Sequence, residues 1–288
     1  MVAVAWLLNL DANDDLADPN RSTRSRALEA RLPILAAQTG LVRPGDVLLT
    51  AGARADGLEG RAWMPTPAAL VILADAGARL PAAPPLDVLA RVNRRSFAGT
   101  IAALDGAGLC ASIDEVASRT RAPTRTGKWL MKRAFAFGGR GRKWIPAGRL
   151  EGAALAWAKT AIARDGELWV EPFVELAGDF ALHGFVDAAG ALTLGSPTTQ
   201  RCDELGIWRS SALASTEDLD DPERATLELA ARRTAGALVR AGYFGPFGVD
   251  GFRYVGDGGA LAMHAPCDVN ARYTMGYAIG MGSRRPDR

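Results

Sequence analysis

An α/β (α+β) fold is predicted by three features of the sequence. Strand-like and helix-like pieces alternate over the first eighty-odd residues, a proline-rich break follows at Leu80-Pro-Ala-Ala-Pro-Pro85, and from Glu167 the pattern turns mainly to strands. With 48% of 288 residues hydrophobic and 23% charged, the chain can fill one large or two modest cores, which excludes a disordered or fibrous protein. The 34 Lys+Arg and 32 Asp+Glu leave a formal charge of +2, so neither a nucleic acid nor a membrane surface is expected as partner. Met1 to Leu8 lacks a basic flank and runs into Asp11-Ala-Asn-Asp-Asp15, the pattern of a first strand and not of a signal peptide. No apolar run reaches the roughly 20 residues of a membrane span. Cys110, Cys202 and Cys267 are odd in number and lack Cys-x-x-Cys spacing, which argues against disulfides or zinc and for a reducing cytoplasm.

Val2–Leu8 reads as the first strand, Thr23 to Leu32 as a helix, and Asp46–Thr50 as a second strand. Thr66-Pro67 opens a helix running towards Ala78, with the proline in the first turn. Pro81, Pro84 and Pro85 remove donors and fix φ, so the boundary falls there: residues 1–85 form a small α/β domain and 86–288 a second one. Val88, Val92, Ile101 and Leu104 suit one helix over Asp87–Leu104, and Trp129–Met131 suits a buried strand delivering Lys132. Leu168–Val170, Phe180–Val186 and Ala191–Gly195 are strands, the last two joined by a turn ending at Gly190. Asp221-Pro222 supplies the cap and first-turn proline of a helix carrying Leu227, Ala231 and Leu238 and stopping at Gly242. A hairpin follows, Phe247–Val255 and Ala260–Asn270 around Gly256-Asp-Gly-Gly259, and the tail Gly282–Arg288 is expected to fray.

Three segments carry chemistry. In Lys132-Arg-Ala-Phe-Ala-Phe-Gly-Gly-Arg-Gly-Arg-Lys143 a strand delivers a lysine into a glycine loop, where backbone N–H groups can approach phosphate oxygens and the ammonium can neutralise them. It is neither a Walker loop nor a Rossmann turn, and alone it equally describes a basic surface hairpin. Gly248-Val-Asp250 and Cys267-Asp268-Val-Asn270-Ala-Arg272 place Asp250, Asp268 and Asn270 on one side of the predicted hairpin, two carboxylates and an amide oxygen suited to hard Mg²⁺. Arg272 continues that face, with a fork suited to a carboxylate or phosphoryl group; a solvated hairpin is the plain alternative. Leu168-Trp-Val-Glu-Pro-Phe-Val-Glu175 is an apolar strand ending in a linker, a place for a nucleotide base, with Asp179 placed to accept from ribose hydroxyls.

In this order the three segments resemble the ATP-grasp superfamily, of the carboxylate–amine/thiol ligase type, over about residues 86–288. The resemblance implies an ATP-grasp fold preceded by a small pre-ATP-grasp α/β domain. A nucleotide-binding lid would lie at about 110–170 and a metal-binding subdomain at about 171–280. It implies that Lys132 binds the α- and β-phosphates, that Gly138, Gly139 and Gly141 form the lid loop, and that Glu171, Phe173 and Val174 belong to the adenine hinge. Asp179 would match the ribose carboxylate. Asp250, Asp268 and Asn270 would hold magnesium ions (manganese in their place), and Arg272 would steady an acyl-phosphate. The chain departs from the pattern at Asp268, where glutamate is usual, and in the helix after the boundary, where Val92-Asn-Arg-Arg95 offers Arg94 for an expected lysine.

The activity so implied is an ATP-dependent ligase: a carboxylate activated as acyl-phosphate, attacked by an amine, with release of ADP and phosphate. The alternatives are an ATP-grasp kinase or phosphotransferase and a degenerate nucleotide-binding module without turnover. ATP and Mg²⁺ are the implied cofactors, small-molecule carboxylates and amines the partners, and a homodimer is common in the family. Gln200, Arg201 and Arg209 lie in a segment where such enzymes place substrate-facing groups, and His183 follows the hinge closely; for each, an ordinary loop or core role stands beside the functional one. Cys267, beside Asp268, is a poor nucleophile.

Overall fold

A computed structural model of the chain describes residues 2–18, 26–136, 141–204 and 207–287. The N-terminal unit comprises β1 (Val4–Leu7), α1 (Ala12–Ala17), α2 (Arg26–Glu29), α3 (Leu32–Thr39), β2 (Val47–Leu48), β3 (Glu59–Ala62) and α4 (Pro67–Asp75). Its strands form a parallel sheet in the order β2-β1-β3. Strand β1 is apolar throughout because both faces are covered: Ala5 and Leu7 pack with Ala69 and Leu73 of α4, whereas Val4 and Trp6 join the large core of the rest of the chain. The Trp6 ring stands edge-on to Tyr273 at 4.9 Å. The helix expected over 23–32 is instead divided, and a further helix, α3, begins at Leu32. Pro33 lies in the first turn of α3, where a missing N–H costs nothing. Residues 19–25 fall outside the described residues.

The second unit comprises α5 (Leu86–Val92), α6 (Arg95–Gly99), β4 (Gly108–Cys110), α7 (Ile113–Thr120), β5 (Lys128–Arg133), β6 (Arg142–Pro146), α8 (Gly152–Asp165) and β7 (Leu168–Pro172). The single helix expected over 87–104 is broken at Asn93, whose side chain bonds the distant Ala271 backbone. The sheet runs β4-β7-β5-β6, all antiparallel. Trp129, Met131, Ile145, Leu168 and Val170 turn towards α7 and α8. By alternation, Lys128, Leu130, Lys132, Arg142, Trp144, Trp169 and Glu171 occupy the other face.

The third unit comprises β8 (Leu176–Val186), β9 (Leu192–Leu194), β10 (Thr198–Cys202), β11 (Trp208–Leu213), α9 (Asp221–Arg240), β12 (Gly245–Val255), β13 (Leu261–Asn270) and α10 (Tyr277–Met281). Its antiparallel sheet has the order β11-β10-β8-β12-β13, with β9 also paired to β8. Phe180, Leu182, Phe247, Val249 and Val269 share a core with Leu227, Ala231 and Leu238 of α9, which leaves Asp179, Gln200, Asp250 and Asp268 on the opposite face. The cap of α9 is Asp220, not Asp221: Asp220 accepts from Glu223 N, and the Glu223 carboxylate returns the bond to Asp220 N. The tail is not frayed. Arg285 and Asp287 are buried and pair at 2.8 Å, and Asp287 accepts from Tyr273 Oη at 3.1 Å. Among the described residues no helix is long and apolar enough to cross a membrane.

Candidate active site

The antiparallel register sets Asp250 opposite Asp268 and Gly248 opposite Asn270, so the three predicted oxygen ligands share the face away from α9. Asp250 Oδ2 accepts from Asn270 Nδ2 at 2.9 Å, and Asp250 Oδ1 accepts from Gln200 Nε2 at 3.0 Å. Burial, with Asp268 beside it, pushes the Asp250 carboxyl up to about 7, against the pull of the Gln200 bond, Arg95 and Arg272. Arg272 is 8% exposed, donates to Tyr273 O at 3.2 Å and stacks 5.7 Å from the Trp63 ring centroid. Burial lowers its guanidinium to about 10, although Asp268 and Asp250 both favour the charge.

Two residues with no assigned role in the sequence reading complete this end. Arg95, the first residue of α6, forms an ion pair with Asp268. Burial opposes its charge, but the Asp268 carboxylate outweighs burial and raises the pKa. Asn93 accepts from Ala271 N at 3.0 Å and donates to Leu89 O at 2.9 Å, clipping the backbone between Asn270 and Arg272 to the end of α5. Nothing local marks Asn93, because its partner is 178 positions away.

On the facing sheet, Lys132 Nζ lies 2.5 Å from Glu171 Oε1, and Glu171 Oε2 accepts from Trp169 Nε1 at 2.8 Å. This pair meets the other sheet at β13. Lys132 and Glu171 both act electrostatically on His264 and Cys267. Burial pushes the Cys267 thiol well above the usual range; Lys132 pulls against this, while Asp250 and Asp268 add to it. Lys128 Nζ sits over the rings of Trp144 at 4.7 Å and Phe173 at 5.8 Å. Phe173 N donates to Lys128 O at 3.0 Å, and Phe173 O accepts from Thr126 Oγ1 at 2.6 Å. Val174, next along, has no backbone partner among the described residues. Asp179, half-buried, is raised by burial while Arg142 pulls the other way. Gly141 has φ +68°, and a Cβ there would meet the Ala136 Cβ at 2.7 Å. Gly138 and Gly139 lie outside the described residues.

Four predicted residues are not brought to this cleft as working groups. Arg94 has extended backbone between α5 and α6 and turns to α8, donating to Asp165 O at 3.2 Å and pairing with Glu167 at 3.3 Å, so its neighbour Arg95 reaches the acids instead. Arg201 is exposed and alternates with Gln200 on β10, which puts it on the other face. Arg209, also exposed, pairs with Asp203 at 2.7 Å. His183 is 2% exposed between Thr274 Oγ1 at 3.0 Å and Thr198 Oγ1 at 3.4 Å, and burial lowers it to about 4. It is a core histidine.

Among the described residues no three His, Cys, Asp or Glu side chains gather to hold a metal. The set Asp250, Asp268 and Asn270 still fits a hard divalent cation that takes the rest of its shell from water and phosphate.

Two antiparallel sheets, one presenting a strand lysine and the other an acid-acid-amide set, close on one cleft, and this fold is that of the ATP-grasp enzymes. The biotin carboxylase–βγ-ATP complex from Campylobacter jejuni is similar at a TM-score of 0.58 and 13% identity, over 96% of this chain and 67% of that one. D-cycloserine synthetase DcsG is similar at 0.58 and 13%, over 98% and 96% of the two chains. D-alanyl-alanine synthetase A from Vibrio cholerae is similar at 0.55 and 11%, over 98% and 92%. Neither protein-family models nor curated protein sequences match the chain.

Proposed function

We propose that the chain is an ATP-dependent carboxylate–amine ligase acting on small molecules. The observation that carries this reading is the meeting of Lys132 with Asp250, Asp268, Asn270 and Arg272 across one cleft, the lysine from one sheet, the acids and amide from the facing one and Arg272 from just past the end of β13. ATP lies between the sheets, its base along the Phe173–Val174 segment and its ribose towards Asp179. Its phosphates lie among Lys132, Arg95 and Arg272, three cations fixed before the reaction begins. A bound magnesium ion supplies further charge neutralisation at the phosphates, held by Asp250, Asp268 and Asn270.

A substrate carboxylate oxygen attacks the γ-phosphorus, the bond to the bridging oxygen breaks, and ADP leaves with that electron pair. The amine then attacks the acyl carbon, inorganic phosphate departs with the electron pair of the acyl C–O bond, and the nitrogen gives up a proton to the departing phosphate. The residues position reactants and offset charge, so no side-chain nucleophile is required. Arg272, held over the Trp63 ring, orients the carboxylate. The N-terminal unit forms the outer wall: Tyr273 N donates to Trp63 O at 3.1 Å, which brings the end of β3 to the arginine.

The test is ATP-dependent hydroxamate formation across a panel of amino and hydroxy acids, with hydroxylamine as the trapping amine. Hydroxamate and ADP in equal amounts support ligation. ADP release with a stable phosphorylated product instead points to a kinase. Nucleotide binding with no turnover on any acid points to a binding module, the reading favoured by Arg95 already neutralising Asp268.

A further inference from the structure

We propose that Arg95 is a resident cation of this site, so that the chain takes one divalent metal ion with its nucleotide and not a bridged pair. The inference rests on the ligase reading above, because it concerns the nucleotide cleft. Five observations lead to it. Arg95 pairs directly with Asp268, one of the two carboxylates that would hold a metal ion. The residue is held at its root and shielded: its backbone N donates to Ala134 O at 3.1 Å at the start of α6, and its side chain is 19% exposed. Any second cation approaching Asp268 therefore approaches a fixed positive charge.

The Asp250 oxygens are also engaged, each by an amide N–H, from Gln200 and from Asn270. For Asn270 to offer its oxygen beside Asp250, the amide would have to turn round and give up that bond. Aspartate at 268 is one methylene shorter than glutamate, and its carboxylate is already paired with Arg95. Finally, Asp250 and Asp268 are already balanced by Arg95 and Arg272, and among the described residues no third acid joins them. The free lone pairs of Asp250 and Asp268 then serve one cation, with Asn270 joining once its amide has turned.

The experiment counts Mn²⁺ bound per chain by electron paramagnetic resonance at saturating ADP and at saturating non-hydrolysable ATP analogue. ADP binding is followed separately with a fluorescent analogue. Wild type should bind one Mn²⁺ per chain with either nucleotide. Arg95→Met, which removes the charge and keeps an unbranched apolar stem, should bind two, or bind the first at least tenfold more tightly. Arg95→Gln is the second variant, keeping a donor for Asp268 where Arg95→Met fails to fold. Two Mn²⁺ on the wild type, or one on every variant with unchanged affinity, overturns the assignment of Arg95 while leaving the nucleotide reading intact. No ADP binding at all overturns both.

Discussion

Replacing Lys132 by methionine separates what this lysine does for the fold from what it does for a nucleotide. Its partner Glu171 has a side chain only 8% exposed, and the lysine itself is 14% exposed. In the variant Trp169 Nε1 still donates to Glu171, but the carboxylate has lost its counter-charge in a poorly solvated place. Breaking one side of a buried pair costs about 3 kcal/mol at the lower end of measured cases. At about 2.1 cal/mol/K per residue, the whole chain has an unfolding entropy of about 0.6 kcal/mol/K, so the expected fall in midpoint is about 5 °C. The double variant Lys132→Met with Glu171→Gln removes both charges and should recover most of that loss. It should not recover nucleotide affinity, because the phosphates still lack their ammonium. Differential scanning fluorimetry with and without MgADP reads both quantities. A double variant as unstable as the single one, or one that binds MgADP like wild type, refutes the reasoning.

Three further outcomes follow from the packing. His183 is neutral in the fold with a pKa near 4, against about 6.5 when unfolded, so the unfolded state binds the extra proton between those values. Stability therefore falls as pH drops from 6.5 towards 4, by on the order of 3 kcal/mol, and urea titrations of wild type and His183→Asn should diverge in that window and run parallel above it. Asn93→Ala leaves the buried Ala271 N–H without its acceptor and should cost about 1–3 kcal/mol in urea, together with a weaker grip on MgADP; unchanged MgADP affinity would count against the clip. Gly99→Ala puts a methyl 2.1 Å from the Trp169 ring, so the indole must leave Glu171, and a loss of about 2 kcal/mol with an altered tryptophan emission is expected.

Much of this site was legible because its chemistry is local in sequence. The strand before Lys132 and the spacing Asp268-x-Asn270-x-Arg272 place their side chains by alternation alone, and the register of β12 with β13 brings Asp250 into line as expected. What was not legible depends on partners far along the chain. The break between α5 and α6 exists because Asn93 bonds Ala271 instead of continuing a helix, and that break turns Arg95 and not Arg94 towards Asp268. Likewise the tail is held in part from far away: Asp287 O accepts from Arg61 Nη2, 226 positions earlier, while its carboxylate accepts from Tyr273 and Tyr277. The division of Thr23–Leu32 had a local signal, Pro33, which belongs in a first turn and marks a new helix start.

The proposed ligase reading requires the cleft between the two antiparallel sheets to hold an adenine nucleotide with its metal. Thermal unfolding of the wild-type chain with ATP, ADP or GTP, each with and without Mg²⁺, tests it most directly. A ligand at about 100 times its dissociation constant adds about 2.7 kcal/mol to the folded state, so the account predicts a rise of about 4–5 °C with MgADP and MgATP, reduced without magnesium and smaller with GTP. No shift with any of the three nucleotides at millimolar concentration would contradict it.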